Sequence, residues 1–427
     1  MGVRHALLDV SPLRTSPRFR RLWAGQALSG FGGQMTVVAV MFQVWQETGS
    51  TAWTGTVGLA QALPVVVLGL FAGSLVDRVD RRTFYLVMTG GQLGCALLLA
   101  VQGFGTRLPP AGLLALLAVQ SCFVAGSGPA TRTFIPSLLP PHQLAAGLAL
   151  RQIAFQAALL TGPAVAGVIL GGPGAGACYA VDAATFAAAF YGALGLPRMR
   201  PGQSAAAPGL RGTRDGLAFL LRTPAVRGAL LTDLAATVLC MPVSLFPLIN
   251  AQRFGGDPRT LGLFLTSVAV GGVTASLFSG TFTRFPRPGA VMLAGSATWG
   301  AALALFGLVT NPWSGLALLA VAGAADTVAV VCRSTVVQAH TPRELLGRVG
   351  AAEQIVGQAG PDLGNLRGGL VAQASSGAVA LVAGGLLCVG AVVLVGAATR
   401  DLRRSTVPTS ADAPGKAAPG EAAPASS

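Results

Sequence analysis

Long apolar runs alternate with short polar segments along most of the chain. Each run has about 20 residues or more, the length that a helix needs to cross the hydrocarbon of a membrane. The alternating ten-residue segments of a membrane barrel are absent, so helices are expected. The pattern therefore predicts an all-α membrane protein with twelve transmembrane helices. The runs lie at about 22–45, 53–76, 84–105, 111–130, 148–170, 174–195, 228–250, 260–282, 288–309, 313–333, 349–371 and 377–398.

Composition agrees with this prediction. The 427 residues are 52% hydrophobic and only 10% charged, whereas about 25% charged residues are usual in a soluble domain. A net charge of +14 is compatible with nucleic-acid binding, but the basic residues lie in short loops between apolar runs, which favours a membrane topology signal and no nucleic-acid partner. The six cysteines fall inside apolar runs without metal-ligand spacing, so neither a metal site nor a cofactor is expected.

The distribution of basic residues predicts the orientation. With the amino terminus inside the cell, 24 of the 29 Lys and Arg residues fall in inner segments. The outer loops then hold Arg107, Arg253 and Arg259. By the positive-inside rule, both termini are expected in the cytoplasm of a bacterial cell membrane.

The two halves of the chain resemble each other. Shifted by 207 positions, Pro17 meets Pro224 and Gly55 meets Gly262, and other matches follow in the order of the helices. Two related six-helix bundles are therefore predicted. The predicted divisions are a cytoplasmic segment 1–21, a first bundle 22–196, a cytoplasmic connector 197–227, a second bundle 228–398 and a disordered cytoplasmic tail 399–427.

A short motif follows the second run. It reads Gly-Ser-Leu-Val-Asp-Arg-Val-Asp-Arg-Arg over residues 73–82. Its glycine allows close helix packing, and its charges can pair with helix ends and gate the inner mouth. The alternative is an ordinary positive-inside loop. The segment resembles the signature loop of the major facilitator superfamily, with Asp80 where that pattern has glycine. The gating residues expected from the motif are Gly73, Asp77, Arg78, Arg81 and Arg82.

Three further segments sharpen the resemblance. They are LLDVSPLRTSPRFRRLW near the start, DGLAFLLRTPAVRG before the seventh helix and RSTVVQAHTPRELLGRV between the tenth and eleventh helices. Together they resemble enterobactin-type siderophore exporters and drug:proton antiporters of the superfamily. The resemblance implies proton-driven efflux of a catecholate siderophore or a lipophilic drug from the cytoplasm.

Five acids lie within predicted helices, and a charge inside a membrane is costly. Removal from water favours the neutral carboxyl, so each can bind and release a proton near neutral pH. The sequence has no GxxxxGK phosphate loop, and an ion gradient is therefore the expected energy source. The candidate coupling residues are Asp326, Glu353, Asp362, Asp182 and Asp233.

Each acid also has a structural interpretation. Asp233 lies near the start of its helix, where water can reach it. Asp326 lies seven positions before Arg333, so a charge pair with a neighbouring helix is equally compatible with the sequence. Asp182 can form an interhelical hydrogen bond. Glu353 and Asp362 lie on the most polar helix of the chain, part of which should face water or protein.

Other polar residues are candidates for the substrate path and for charge pairs at the inner face. The expected path residues are Gln26, Gln34, Gln152, Gln156, Gln358 and Asn365. The expected inner-face charges are Arg132, Arg333 and Arg348. The resemblance implies an exporter, not an enzyme, that moves a small molecule across the lipid bilayer by proton antiport. We expect it to be a monomer. An importer of a polar nutrient, working by proton symport, and a non-transporting sensor or lipid scramblase remain alternatives.

Overall fold

The computed structural model describes residues 9–76, 79–105, 108–197, 218–278, 287–342 and 345–404. Side chains are described within these ranges except at 69–76, 128–130, 132–133, 145, 346–348, 350–352, 354–356, 358 and 404. Over the described ranges the chain is helical, which confirms the predicted fold class.

Twelve long helical segments follow one another in the described ranges. They are α1 (Pro17–Thr48), α2 (Thr51–Val76), α3 (Arg81–Phe104), α4 (Pro110–Leu138), α5 (Leu144–Leu170), α6 (Ala175–Leu194), α7 (Pro224–Cys240, continued by Phe246–Arg253), α8 (Pro258–Leu277), α9 (Pro288–Phe306), α10 (Pro312–Ala339), α11 (Leu346–Ala374) and α12 (Gly377–Ala398). Short helices at Ser11–Thr15 and Arg400–Arg404 flank them.

Eleven of these segments are long and apolar enough to cross a membrane within the described part of the chain. The other, α11, is 29 residues long but carries Glu353, Asp362, Asn365 and Arg367. A helix this polar needs protein or water along one side. The structure supplies protein, because α11 packs against α2, α7 and α12.

Several helices extend beyond the apolar runs that predicted them. α1 begins at Pro17 because Ser16 caps it by accepting a hydrogen bond from the Phe19 amide. α10 reaches Ala339, beyond its apolar run, and carries Arg333 within its last turns. An apolar run marks the part of a helix that lies in lipid, whereas hydrogen bonds and caps determine where the helix ends.

The seventh segment is interrupted. Its first helix ends at Cys240, and Pro242 opens a single 3-10 turn before the second helix begins at Phe246. Pro242 has no amide hydrogen for the Val238 carbonyl, and the other last carbonyl groups lose their helical partners because the helix ends there. α11 replaces one of these bonds: Arg367 Nη1 donates to the Leu239 carbonyl at 2.6 Å.

The two sets of six helices pack in the same pattern. In the first set α1 contacts α5 and α6, α2 contacts α4, and α3 contacts α4 and α6. The corresponding pairs of the second set, α7 with α11 and α12, α8 with α10, and α9 with α10 and α12, also pack. The sets meet mainly through α2 against α11 and α5 against α8. The predicted connector 197–227 lies largely outside the described residues, although 218–222 is helical and α7 starts at Pro224.

Glycines allow the two sets to approach closely. A Cβ atom added to Gly167 of α5 would lie 2.8 Å from the Pro258 carbonyl oxygen and 3.2 Å from the Gly262 Cα of α8. A Cβ atom added to Gly55 of α2 would lie 2.8 Å from the Asn365 carbonyl oxygen of α11. The backbones are therefore nearly in contact at both places. Gly55 and Gly262 are also equivalent positions of the internal repeat.

Candidate functional site

Hydrogen bonds join the two halves at one end of the bundle, where α1 ends and α2 begins. Thr51 Oγ1 donates to the Gly369 carbonyl at 2.8 Å, and Thr54 Oγ1 donates to the Ser244 carbonyl at 2.8 Å. Ser50 Oγ lies 3.1 Å from Gln373 Oε1. We call this set of residues, 50–54 with 244 and 369–373, the closed end. It is the end that the distribution of arginines predicts to face outward.

The signature loop lies at the opposite end. Asp77 and Arg78 lie outside the described residues. Gly73 lies within α2, but the structure does not describe its surroundings. Asp80 caps α3, because its Oδ1 accepts from the Arg82 amide at 2.8 Å and the Thr83 amide at 3.3 Å. This cap explains why aspartate serves where the superfamily pattern has glycine.

The two arginines that end the motif begin α3. Arg82 Nη2 donates to the Leu194 carbonyl at 2.8 Å, which satisfies a carbonyl at the carboxyl end of α6. This bond ties the loop to the last helix of its own half. Arg81 is the first residue of α3, and this residue is not without a partner in the protein. The gating role of the motif remains a prediction.

Three helices of the second half meet at a charged cluster. Arg333 of α10 forms an ion pair with Asp233 of α7 through Nη1 and Oδ1. Its Nε also lies 3.2 Å from Glu353 Oε1 of α11. The three side chains are only 12%, 13% and 17% exposed. Arg333 therefore links α7, α10 and α11 within about three turns of the end opposite the closed end.

A third carboxyl group adds negative charge to this cluster. Asp326 lies two turns before Arg333 on α10 and is close enough to interact electrostatically with both Arg333 and Asp233. Among the described side chains, one guanidinium thus faces three carboxyl groups. The side chains of Arg348 and Arg132, the other expected inner-face charges, lie outside the described residues. We call Asp233, Asp326, Arg333 and Glu353 the charge cluster.

Asp362 occupies a different position on α11. Its carboxyl group packs against Gly58 of α2, so it lies where the two halves meet. It forms no hydrogen bond or ion pair with the described residues. One turn later, Asn365 bonds to the break in α7: its Oδ1 accepts from the Ser244 amide at 3.1 Å, and its carbonyl accepts from Ser244 Oγ at 2.7 Å. Asn365, expected on the substrate path, is thus held in a link between helices.

Asp182 lies in the first half and is fully buried between α6 and α1. Thr36 Oγ1 donates to its Oδ2 at 2.7 Å, which is the interhelical hydrogen bond that the sequence allowed. Its Oδ1 points towards Gly32 and has no hydrogen-bond partner within the described ranges. The glycine leaves room for the carboxyl group against the α1 backbone.

A cavity of about 360 Å³ opens in the first half, next to Thr36. The helices α1, α2, α3, α4 and α6 form its wall. The wall carries the amide side chains of Gln26, Gln34, Gln61, Gln92 and Gln120. It carries the hydroxyl groups of Ser29, Thr36, Tyr85, Thr89, Ser121, Ser127 and Thr131. We call this space the first-half cavity.

The expected path residues are only partly in this cavity. Gln26 and Gln34 line it, whereas Gln152 and Gln156 of α5 are not in its wall. The Gln358 side chain lies outside the described residues. The polar faces of α3 and α4 also line the cavity and were not among the expected path residues. A signal was present: Tyr85, Thr89 and Gln92 follow one another at helical spacing, in the same way as polar residues between 120 and 131.

A second buried polar group surrounds Gln43 in the first half. Gln43 and Gln102 exchange amide hydrogen bonds at 3.0 and 3.1 Å, and the Tyr179 hydroxyl donates to Gln43 Oε1 at 2.9 Å. Gln43 Nε2 also donates to Glu47 Oε1 at 2.8 Å. These bonds join α1, α3 and α6 near the closed end. In this way the buried side chains satisfy each other's hydrogen-bonding groups, which is the usual structural role of buried amides.

The chain is similar to known membrane exporters along most of its length. The profile of the family described as transmembrane secretion effectors matches residues 8–416. The Enterobactin exporter EntS of Shigella boydii serotype 18 is 28% identical over 407 residues, covering 92% of this chain and 95% of that protein. The Enterobactin exporter EntS of Escherichia coli O1:K1 shows the same identity and coverage.

Solved transporter structures have the same architecture. The nucleoside transporter NupG superposes with a TM-score of 0.73 at 13% identity, covering 91% of this chain and 100% of that chain. A D-xylose-proton symporter superposes with a TM-score of 0.70 at 13% identity, covering 91% and 99%. At these identities the structural similarity concerns the fold alone.

Proposed function

Because the chain belongs to the transmembrane secretion effector family of major facilitator transporters, we propose that it exports a small lipophilic or siderophore-like molecule from the cytoplasm in exchange for protons. The chain is a multi-pass membrane transporter and not an enzyme. The direction and the class of cargo rest on its similarity to proteins named as enterobactin exporters. The exchange for protons rests on the charges of the second half.

The charge cluster is the proposed proton site. One guanidinium among three carboxylates leaves an excess of negative charge in a nearly dry region, which is costly in a membrane. Binding a proton removes one negative charge and weakens the attraction that holds Arg333 to a neighbouring helix. The cluster therefore has two charge states that favour different packings of α7, α10 and α11.

The single observation that carries the proposal is the position of α11. At one end, its Glu353 is paired with Arg333. At the other, its Gly369 carbonyl accepts the hydrogen bond from Thr51 across the two halves. Asp362 lies between them, against α2. A proton that releases Glu353 can therefore shift the same helix that helps to seal the closed end.

Alternating access follows from this arrangement. In the described conformation the halves are joined at the closed end. We therefore assign this conformation to a state that receives cargo from the opposite, cytoplasmic side. Protons entering from outside would then drive the return after cargo is released. A potential of 100 mV supplies about 2.3 kcal/mol for each charge moved, which is enough to bias such a cycle.

The test is transport into everted membrane vesicles, whose lumen corresponds to the cell exterior. Enterobactin is offered outside, and the lumen is acidified by respiration. We expect the unmodified protein to accumulate enterobactin, and at least one of the charge-cluster variants Asp233→Asn, Asp326→Asn and Glu353→Gln to bind it normally but lose accumulation. If all three variants still accumulate enterobactin against a gradient, the proposed coupling is wrong. Accumulation only by right-side-out vesicles would support the importer instead.

A further inference from the structure

The first-half cavity is lined without charge. Five amides and seven hydroxyl groups form its polar wall, and none of its described lining residues is acidic or basic. Leu117, Val37 and Phe186 supply apolar surface between them. A site of this size and mixture is typical for a small organic group held by a few hydrogen bonds.

Several wall hydroxyl groups already donate within the protein. Ser121 Oγ donates to the Leu117 carbonyl at 3.0 Å, Ser127 Oγ to the Val124 carbonyl at 3.0 Å, and Thr131 Oγ1 to the Ser127 carbonyl at 2.9 Å. Thr36 donates to Asp182. These hydrogens are therefore not available to a ligand. Gln26 Nε2 also donates, to Thr131 Oγ1 at 3.3 Å, and Gln120 lies within hydrogen-bonding reach of Asp182. The Tyr85 and Thr89 hydroxyl groups lie within hydrogen-bonding reach of each other. The donors that can face the cavity therefore include the amide groups of Gln34, Gln61 and Gln92.

Gln92 is the donor that lacks a partner. Its side chain is 6% exposed, it lines the cavity, and its Nε2 makes no hydrogen bond to any described residue. A buried amide N–H group is seldom left without a partner in a folded protein. The unpaired donor therefore points to a ligand that brings a hydrogen-bond acceptor to this wall.

Charge selects the ligand further. The Asp182 carboxyl group lies directly behind Thr36, whose hydroxyl it engages, and no described side chain in the wall offers a positive charge. An anionic group would have to leave water without a counter-charge and approach a carboxyl group. A neutral carbonyl or amide group incurs neither of these costs.

We propose that the first-half cavity binds the uncharged, hydrogen-bond-accepting part of the cargo, such as a carbonyl or amide group, through Gln92, and excludes the matching carboxylate. This inference rests on the proposed function, because it assumes that the cavity lies on the transport path. It assigns recognition of the cargo to the first half and proton binding to the second.

α1 offers a way to test the site by filling it. A Cβ atom added to Gly33, which lines the cavity, would meet no atom within 4 Å. Gly33→Leu should therefore occupy the cavity without displacing the fold. Gly94 of α3 is equally unobstructed but is not in the wall, so Gly94→Leu is the matched control.

The experiment measures binding by isothermal titration to the full-length protein in lipid nanodiscs. The probes are 2,3-dihydroxybenzamide, which is neutral, and 2,3-dihydroxybenzoate, which carries a carboxylate at neutral pH. We expect the amide to bind at least about tenfold more tightly than the acid. Gly33→Leu should abolish binding of the amide, Gln92→Leu should weaken it about tenfold, and Gly94→Leu should leave it unchanged.

Two results would overturn the inference. One is an acid that binds as tightly as the amide, and the other is amide binding that survives both Gly33→Leu and Gln92→Leu. The titration needs no proton gradient, so its failure leaves proton exchange untouched. Conversely, normal binding with no proton-driven accumulation would contradict the proposed function and leave the site in place.

Discussion

Two threonine hydroxyl groups hold the closed end, and their removal gives a prediction with a defined size. Thr51 and Thr54 are each 2% exposed, and each donates at 2.8 Å to a backbone carbonyl of the other half. The Thr54 hydroxyl shares its hydrogen with the Thr51 carbonyl of its own helix at 3.0 Å, but the bond across the halves is the shorter one. Valine keeps the shape of the side chain and removes the hydroxyl. A hydrogen bond of this kind contributes about 0.6–1 kcal/mol in a membrane protein. Thr51→Val with Thr54→Val should therefore weaken the closed end by about 1.2–2 kcal/mol.

That free energy corresponds to an increase in opening of about 8- to 30-fold. Hydrogen–deuterium exchange with mass spectrometry, on protein in nanodiscs, measures it through the segments 50–58 and 365–374. Thr56→Val is the control, because the Thr56 hydroxyl donates to the Trp53 carbonyl of its own helix at 2.7 Å. We expect faster exchange in both segments of the double variant only. Exchange no faster than in the control would show that these hydroxyl groups do not hold the halves together.

Three further predictions concern stability and packing. Arg333→Ala leaves Asp233 and Glu353 buried without their counter-charge, which should lower the free energy of unfolding by about 3–5 kcal/mol. The loss should appear as a lower melting temperature in detergent, and a variant as stable as the parent would contradict the ion pairs. Asp80→Ala removes the cap of α3 and should cost about 1 kcal/mol in the same assay, whereas Asp80→Asn should cost little; equal losses would argue against capping. Gly167→Leu inserts a side chain where α5 and α8 nearly touch and should abolish uptake into everted vesicles, and full activity would show that the helices lie farther apart.

The sequence predicted the helices well because hydrophobic length is a strong constraint in a membrane. It does not predict the break in α7, because the run 228–250 is continuous in hydrophobicity. Pro242 and Pro247 lie inside that run, but proline is tolerated in membrane helices, so composition alone does not locate a break. The break is stabilised by Asn365 and Arg367 of α11, which are more than 100 positions away.

The candidate site was only partly predictable for the same reason. The free-energy cost of a charge inside a membrane marks Asp233, Asp326 and Glu353 as unusual, but no local sequence pattern reveals that they share Arg333 as a partner. That pairing depends on how α7, α10 and α11 pack. Polarity alone predicts Gln152 and Gln156 as path residues, whereas the first-half cavity is formed by polar faces that several helices turn towards each other.

Proton exchange predicts that protons and cargo move in opposite directions, and this can be measured directly. Purified protein is reconstituted into liposomes loaded with enterobactin and a pH-sensitive dye, with no cargo and no pH difference outside. As enterobactin leaves, antiport predicts that protons enter and the lumen becomes acidic, and this change should be absent with the double variant Asp326→Asn and Glu353→Gln. A lumen that becomes alkaline as cargo leaves, or cargo efflux with the same pH trace as protein-free liposomes, would rule out proton antiport.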